Sequence, residues 1–405
     1  MLSKKEVINN LKNVKLILGN GFDLHCGLKS KYSDYFESSV EKDKYDSIGQ
    51  WLKELEGKQR LSLPEIDKEV EGLFNVGERL ESTSAWDLFF AMDRNKNRMW
   101  CDVEKEISDS LVQMEDHGQH SSPIVSWERV FQTMKKERME QSSRKADILA
   151  VFCERKNDGK PFEDLDSFYL FLLEDLKQFE AEFGNFIASQ VAVSNSFFIK
   201  TNDFYLSNAA STLESLCNIE NLSSLDSFNF TPLERLSNFD KIKDKVRYVN
   251  GNWQSPIFGI DSKSYSSSDI RYIFSKTNRR MELDMSEEQT SPNPNFDNAI
   301  VYGHSLSEND YSYFFPLLDK LKMTDFGLNT KIVFDFSIFD EALASSIKKS
   351  YRKAIYGLFE RYAIFKGISE EPGRLLDGLT TQGRVLLNEI PVIPYADRTG
   401  YLSKY

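Results

Sequence analysis

Apolar residues in this chain follow two patterns. In the first, short strand-like runs end on a small or polar residue: Leu16-Ile17-Leu18 meets Gly19-Asn20-Gly21, Leu225 to Phe230 meets Thr231-Pro232, and Val246 to Val249 meets Asn250-Gly251. Ala299 to Tyr302 likewise meets Gly303-His304-Ser305, and Ile332 to Phe334 meets Asp335. Runs of this length suit strands buried on both faces, as in a parallel sheet covered by helices. Ile257-Phe258-Gly259-Ile260-Asp261 reads as a further apolar strand or turn. In the second pattern apolar residues recur every three or four positions. Tyr32, Tyr35 and Phe36 do so within a helix over 31–40, Leu170 to Phe186 within one over 168–186, and Tyr313 to Leu321 within one that starts near Glu308; a last helical stretch covers 340–349. From about 45 to 195 there is no convincing parallel strand, only amphipathic runs. The pattern predicts an α/β fold, a Rossmann-like, mostly parallel sheet flanked by helices with a large helical insertion. It divides the chain into 1–44 with 196–350 as the sheet domain, 45–195 as the insertion, and 351–405 as a C-terminal helix and extended arm.

Open parallel sheets bind ligands at the carboxyl ends of their strands, where this chain repeatedly places polar side chains. Gly19 and Gly21 allow a sharp turn and close backbone approach to a ligand, and a following helix start offers N–H groups to a phosphate. The third glycine of the dinucleotide fingerprint is missing, and no ribose-binding acid stands at the end of a second strand. A tight strand-to-helix turn without ligand is the plain alternative. Thr231 reads as a helix cap before Pro232. Tyr32, Tyr35 and Phe36 read as core before ligand stacking. In the tail, Val385-Leu386-Leu387 and Ile390 to Pro394 form an extended apolar run, either a docking arm or an edge strand.

Composition changes the picture modestly. A formal charge of −12 over 405 residues argues against a nucleic-acid-coating protein, so nucleic acid is an unfavoured partner. No apolar stretch reaches membrane-spanning length and the first residues lack a signal-peptide core, which points to the cytoplasm and no membrane partner. Cys26, Cys101, Cys153 and Cys217 are scattered, without a zinc or disulfide pattern. His117 and His120 lie three apart in a polar loop with no third ligand, so a solvated loop is favoured and no metal is expected. Abundant aromatics, 30 Phe and 17 Tyr, leave a homo-oligomer open.

Three islands carry a resemblance. Gly19-Asn20-Gly21-Phe22-Asp23 with Leu24-His25, Gly27-Leu28, Tyr32 and Phe36 resembles the opening signature of the AbiH family of bacterial abortive-infection proteins. Phe228-Asn229-Phe230-Thr231 and Tyr302-Gly303-His304-Ser305-Leu306 with Asp310 resemble that family's later motifs, in the same order. More distantly, the order of islands is similar to the sirtuin-type NAD-binding fold. That likeness implies NAD or a related nucleotide as ligand, with Gly19, Asn20, Gly21 and Asp23 along phosphate and ribose, Asn229 at the glycosidic bond, and Gly303 and Ser305 on the late turn. Phe22, His25, Thr231, Asn250 and Gly251 join the expected ligand-facing set. Asn250-Gly251 stands where that fold has His-Gly, so the usual base is absent, since asparagine takes no proton at neutral pH.

His304 or His25 is a candidate to replace it, each with the alternative of a histidine bonded within its own turn. Asp23 is a candidate to stabilise an oxocarbenium-like state at the ribose. The leading expectation is a phage-defence effector, answering a phage-derived trigger, that binds NAD or a related small nucleotide and cleaves its N-glycosidic bond, with Asn229, Asp23 and His304 as catalytic candidates. A noncatalytic nucleotide-sensing or protein-interaction module is the alternative. A nuclease-type toxin comes third, weakened by charge and by the lack of a carboxylate metal cluster.

Overall fold

The structure, a computed structural model, describes residues 4–38, 42–58, 61–74, 82–92, 100–111, 125–135, 144–191, 200–216, 218–261, 265–284, 295–338, 344–368 and 372–390. The chain divides into two compact units, 1–30 with 184–256 and 280–405, and 31–183 with 257–279.

The first unit is built on six parallel strands: β1 (Val14–Leu18), β2 (Leu222–Ser227), β3 (Val246–Tyr248), β4 (Asn298–Tyr302), β5 (Lys331–Ser337) and β6 (Val385–Ile390). Their order is β3-β2-β1-β4-β5-β6. This is the doubly wound arrangement in which the chain changes direction between β1 and β4, and the carboxyl ends of those two strands mark the switch point. All five residues of β1 are buried and four of them are apolar, which explains why Leu16-Ile17-Leu18 reads as a buried strand. On one sheet face Ile17, Val301 and Phe334 pack under Phe314, Leu318, Leu358, Phe359 and Leu379. Those side chains come from the helices Tyr311–Lys320, Ala344–Phe365 and Pro372–Thr381.

Lys15 and Asp226 interrupt the apolar pattern of β1 and β2. Lys15 Nζ (2.8 Å), Arg247 Nη2 (2.5 Å) and the Tyr313 hydroxyl (2.6 Å) all converge on Asp226 Oδ2. Asp226 is fully buried, and removing any of these donors would leave its charge poorly compensated.

The second unit is helical, as the absence of strand patterns in that tract requires. Its elements include Lys42–Gly57, Ala85–Met92, Trp127–Met134, Arg144–Lys156 and most of Leu165–Val191. An aromatic core fills it: Trp86 lies 5.0 Å from Trp127, and Tyr32 5.3 Å from both Phe183 and Phe258. Two buried ion pairs, Lys276–Glu104 (2.8 Å) and Arg279–Glu180 (2.7 Å), tie residues 257–279 to its helices.

Several details differ from the sequence pattern. Ile257–Asp261 is not a sheet strand; Phe258 belongs to the aromatic core beside Tyr32, Phe179 and Phe183. The helix over 31–40 closes at Tyr32–Phe36, and its aromatics draw it into the helical unit although the sequence division put it with the sheet. Residues 391–405 lie outside the described residues, and 385–390 take the edge-strand option as β6. Arg384 anchors it there, donating to the carbonyls of Leu321, Lys322, Asp325 and Thr330.

Candidate functional site

The turn after β1 enters the helix Asn20–Cys26, and the turn after β4 presses against it. Gly19 N–H donates to the Tyr302 carbonyl and Gly21 N–H to the Gly303 carbonyl, each at 2.8 Å. A Cβ on Gly21 would stand 2.7 Å from Gly303 Cα, and one on Gly303, at φ +63, would stand 2.6 Å from Gly21 Cα. These glycines therefore serve a backbone-to-backbone contact between two strand ends. The N–H groups of Gly19 and Gly21 are both engaged in that contact.

One turn into the helix, Asp23 is fully buried. Its Oδ1 accepts from Thr231 Oγ1 (2.6 Å) and from the Tyr205 hydroxyl (2.9 Å). Thr231 Oγ1 accepts in turn from Asn229 Nδ2 (2.6 Å), and Asn229 Oδ1 accepts from Ser227 Oγ (2.8 Å). A hydroxyl has one proton and two lone pairs, so Thr231 gives its proton to Asp23 while a lone pair takes the Asn229 N–H. The result is a directed chain from the end of β2 to the turn after β1. Asp23 Oδ2, by contrast, is buried with no hydrogen-bond partner. Burial pushes the Asp23 carboxyl up to about 6, against the opposing pull of the hydrogen bonds from Thr231 and Tyr205. Burial and the neighbouring carboxylate hold the Tyr205 hydroxyl far above its ordinary range, so it remains a donor.

Thr231 was expected to cap a helix. Its hydroxyl goes to Asp23 instead, and the segment after Pro232 is a single 3-10 turn, Leu233–Arg235, without a side-chain cap. Tyr205, on the helix Lys200–Leu216, and Ser227 escaped the sequence reading. Tyr205 lies 182 positions from its partner, and a tyrosine on a helix gives no local sign of such a contact.

The other expected site residues are placed around this chain. At the end of β3, Asn250 Nδ2 donates to the Phe228 carbonyl (3.3 Å) and its Oδ1 accepts from Arg280 Nη2 (3.2 Å). Gly251 follows at φ +75. On the β4 turn, His304 Nδ1 accepts from the Leu306 N–H (2.9 Å), while Nε2 stands 3.7 Å from Asp310 Oδ2. The imidazole is clamped edge-on against Phe228 and Phe314. His25 is buried with Nδ1 2.6 Å from the Tyr302 hydroxyl. Phe22 is buried edge-on to the same Tyr302 ring, Asn20 accepts from Ser30 Oγ, and Ser305 is exposed. The structure thus joins Asp23, Asn229 and Thr231 directly, while His25 and His304 each bond elsewhere.

Among the described residues, no three His, Cys, Asp or Glu side chains gather as a metal site requires. His117 and His120 lie outside the described residues. Among those same residues, no helix is long and apolar enough to cross a membrane.

A family model described as "Bacteriophage abortive infection AbiH" matches residues 16–329. The matched span holds Asp23, Tyr205, Asn229, Thr231 and His304 and ends before β5. No curated protein and no solved structure matches the chain.

Proposed function

The chain belongs to the AbiH family of bacteriophage abortive infection proteins, and on that premise we propose that its defence role acts through NAD or a related nucleotide held at the carboxyl edge of the sheet around Asp23, Asn229 and Thr231. One observation supports this above others: Asp23 has two donors on Oδ1 and none on Oδ2, although both oxygens are buried. A buried acceptor without a donor is rare in a finished fold, and a ribose hydroxyl is a donor of the right kind. Asp23 has no exposed surface, so binding there requires local opening of the turn.

Hydrolysis of the nicotinamide–ribose bond breaks C1′–N and forms C1′–O from water, releasing nicotinamide and a proton. Asp23, ionised above about pH 6, is suited to stabilise the positive charge that develops on the ribose. The test incubates purified protein with NAD and NADP, with and without a phage lysate, and follows free nicotinamide by chromatography. Release that disappears in both Asp23→Asn and Asn229→Ala supports the role. Release unchanged in both variants overturns it and leaves the hydrogen-bonded chain as a structural lock.

A second reading, a nucleotide sensor without turnover, is favoured by Asn250. Its amide is engaged by Phe228 and Arg280, and no proton acceptor stands there. Dinucleotide affinity lost in Asp23→Asn, with no nicotinamide at high protein concentration, selects this reading.

A further inference from the structure

The helix Ala344–Phe365 carries Lys348, Lys349, Arg352 and Lys353 in its first three turns and no acid before Glu360. Lys348 with Arg352, and Lys349 with Lys353, sit four residues apart and stack in two adjacent rows. Like charges at that spacing destabilise a helix, and the macrodipole favours cations at the opposite end. Helix stability therefore gives no reason for the cluster. Lys349, Arg352 and Lys353 are exposed, and among the described residues the ion pair drawn to the group is Lys348–Glu389 at 2.8 Å. The Tyr351 hydroxyl, beside the Lys348–Arg352 row, lies 3.3 Å from the Asp335 carbonyl of β5. Together with Glu389 of β6, that contact fixes the cluster at the carboxyl edge of the sheet.

We infer that this face binds the phosphodiester backbone of a nucleic acid strand. Small ligands take concave sites, whereas these cations stand on the outward face of a helix, which suits a polymer laid across it. Ser345, Ser346 and Ser350 are exposed among them and add short hydrogen-bond donors. An anionic membrane would call for apolar side chains beside the cations. The exposed Ile364 and Phe365 lie at the other end of the helix, roughly 16 Å along its axis from Lys353, and the exposed ring beside the cations, Tyr356, offers a face on which a base can stack. The net charge of −12 opposes nucleic acid as a whole but does not dilute four cations within six residues. This inference is independent of the nucleotide role proposed for Asp23.

The test is fluorescence anisotropy of a labelled single-stranded RNA with the full chain across a salt series. Four phosphate contacts give a slope of log affinity on log salt of about −3. Lys349→Ala/Arg352→Ala/Lys353→Ala should bring the slope to about −1 and weaken binding at least about tenfold at low salt. Circular dichroism should stay unchanged, since alanine suits exposed helix positions. Asp23→Asn should leave the RNA affinity intact. No RNA binding by the unaltered chain, equal slopes for chain and triple variant, or a loss confined to phosphatidylserine vesicles overturns the inference.

Discussion

Asp23→Asn should make this protein more stable, and the gain should depend on pH. Burial lifts the carboxyl from its ordinary value of 3.8 to about 6. At about 1.4 kcal/mol per tenfold change in proton affinity, that difference amounts to about 3 kcal/mol. Below pH 3.8 both the folded and unfolded chains hold the proton, and the group has no effect. Between 3.8 and 6 the unfolded chain releases its proton while the folded chain keeps it, so stability falls as pH rises. Above 6 the whole penalty is present. Asparagine keeps an Oδ1 acceptor for Thr231 and Tyr205 but does not ionise. The assay is urea unfolding of both proteins at pH 4, 6 and 8, read as the difference between them so that other titrating groups cancel. The difference should grow by about 2.5 kcal/mol from pH 4 to pH 8, since about 0.5 kcal/mol of the penalty is already present at pH 4; whatever the new amide loses for want of an acceptor shifts all three values alike. A difference independent of pH would refute the buried, proton-hungry carboxyl.

Tyr205→Phe removes a donor that favours the ionised carboxylate, so in the same pH series the loss of stability should extend above pH 6. Gly303→Ala puts a Cβ 2.6 Å from Gly21 Cα at φ +63 and should cost about 3 kcal/mol in denaturant unfolding. Gly367→Ala, at φ +74 with no atom within 4 Å, should cost only about 1 kcal/mol, and equal losses would remove the case for crowding between the turns. Arg384→Met removes a donor from four carbonyls, of which Leu321 and Lys322 keep Thr330 Oγ1 and the Asp325 N–H while Asp325 and Thr330 lose the guanidinium, and should lower stability by about 3 kcal/mol; a thermal midpoint within a degree of the parent would contradict this.

Strand positions were legible because burial on both sheet faces leaves a direct trace, an apolar run ended by a small or polar residue. At Ile257–Asp261 the same signal left strand and turn open, and there Phe258 packs among aromatic rings and not into a ladder. The partnership of Asp23 with Asn229 and Thr231 was half visible. Each stands at or just past a strand end, Asp23 in the helix that follows β1, but which strand ends meet is set by the order β2-β1-β4, which a sequence does not display. Gly19 and Gly21 showed that something approaches the backbone closely, without showing that it is the Gly303-His304 backbone. Lys15 left no trace of its buried pairing with Asp226, since one lysine at the start of an apolar run looks like a strand edge. Tyr205 shows the general limit, because long-range hydrogen bonds carry no periodicity.

The place of β1 in the sheet also governs when this protein can exist in the cell. Val14 pairs with Leu222 on one side and with Asn298 on the other. At about 5–20 residues per second of synthesis, the roughly 280 residues between Val14 and Asn298 take on the order of 15–60 s to emerge. Through that interval β1 has at least one open edge, and Asp23 gains its Tyr205 and Thr231 donors only late in the wait. A nascent chain stopped before residue 298 holds the first family motif without the strand that packs against it. The centre of the sheet thus closes only late in translation, and a chain cut short before β4 keeps an open edge on β1.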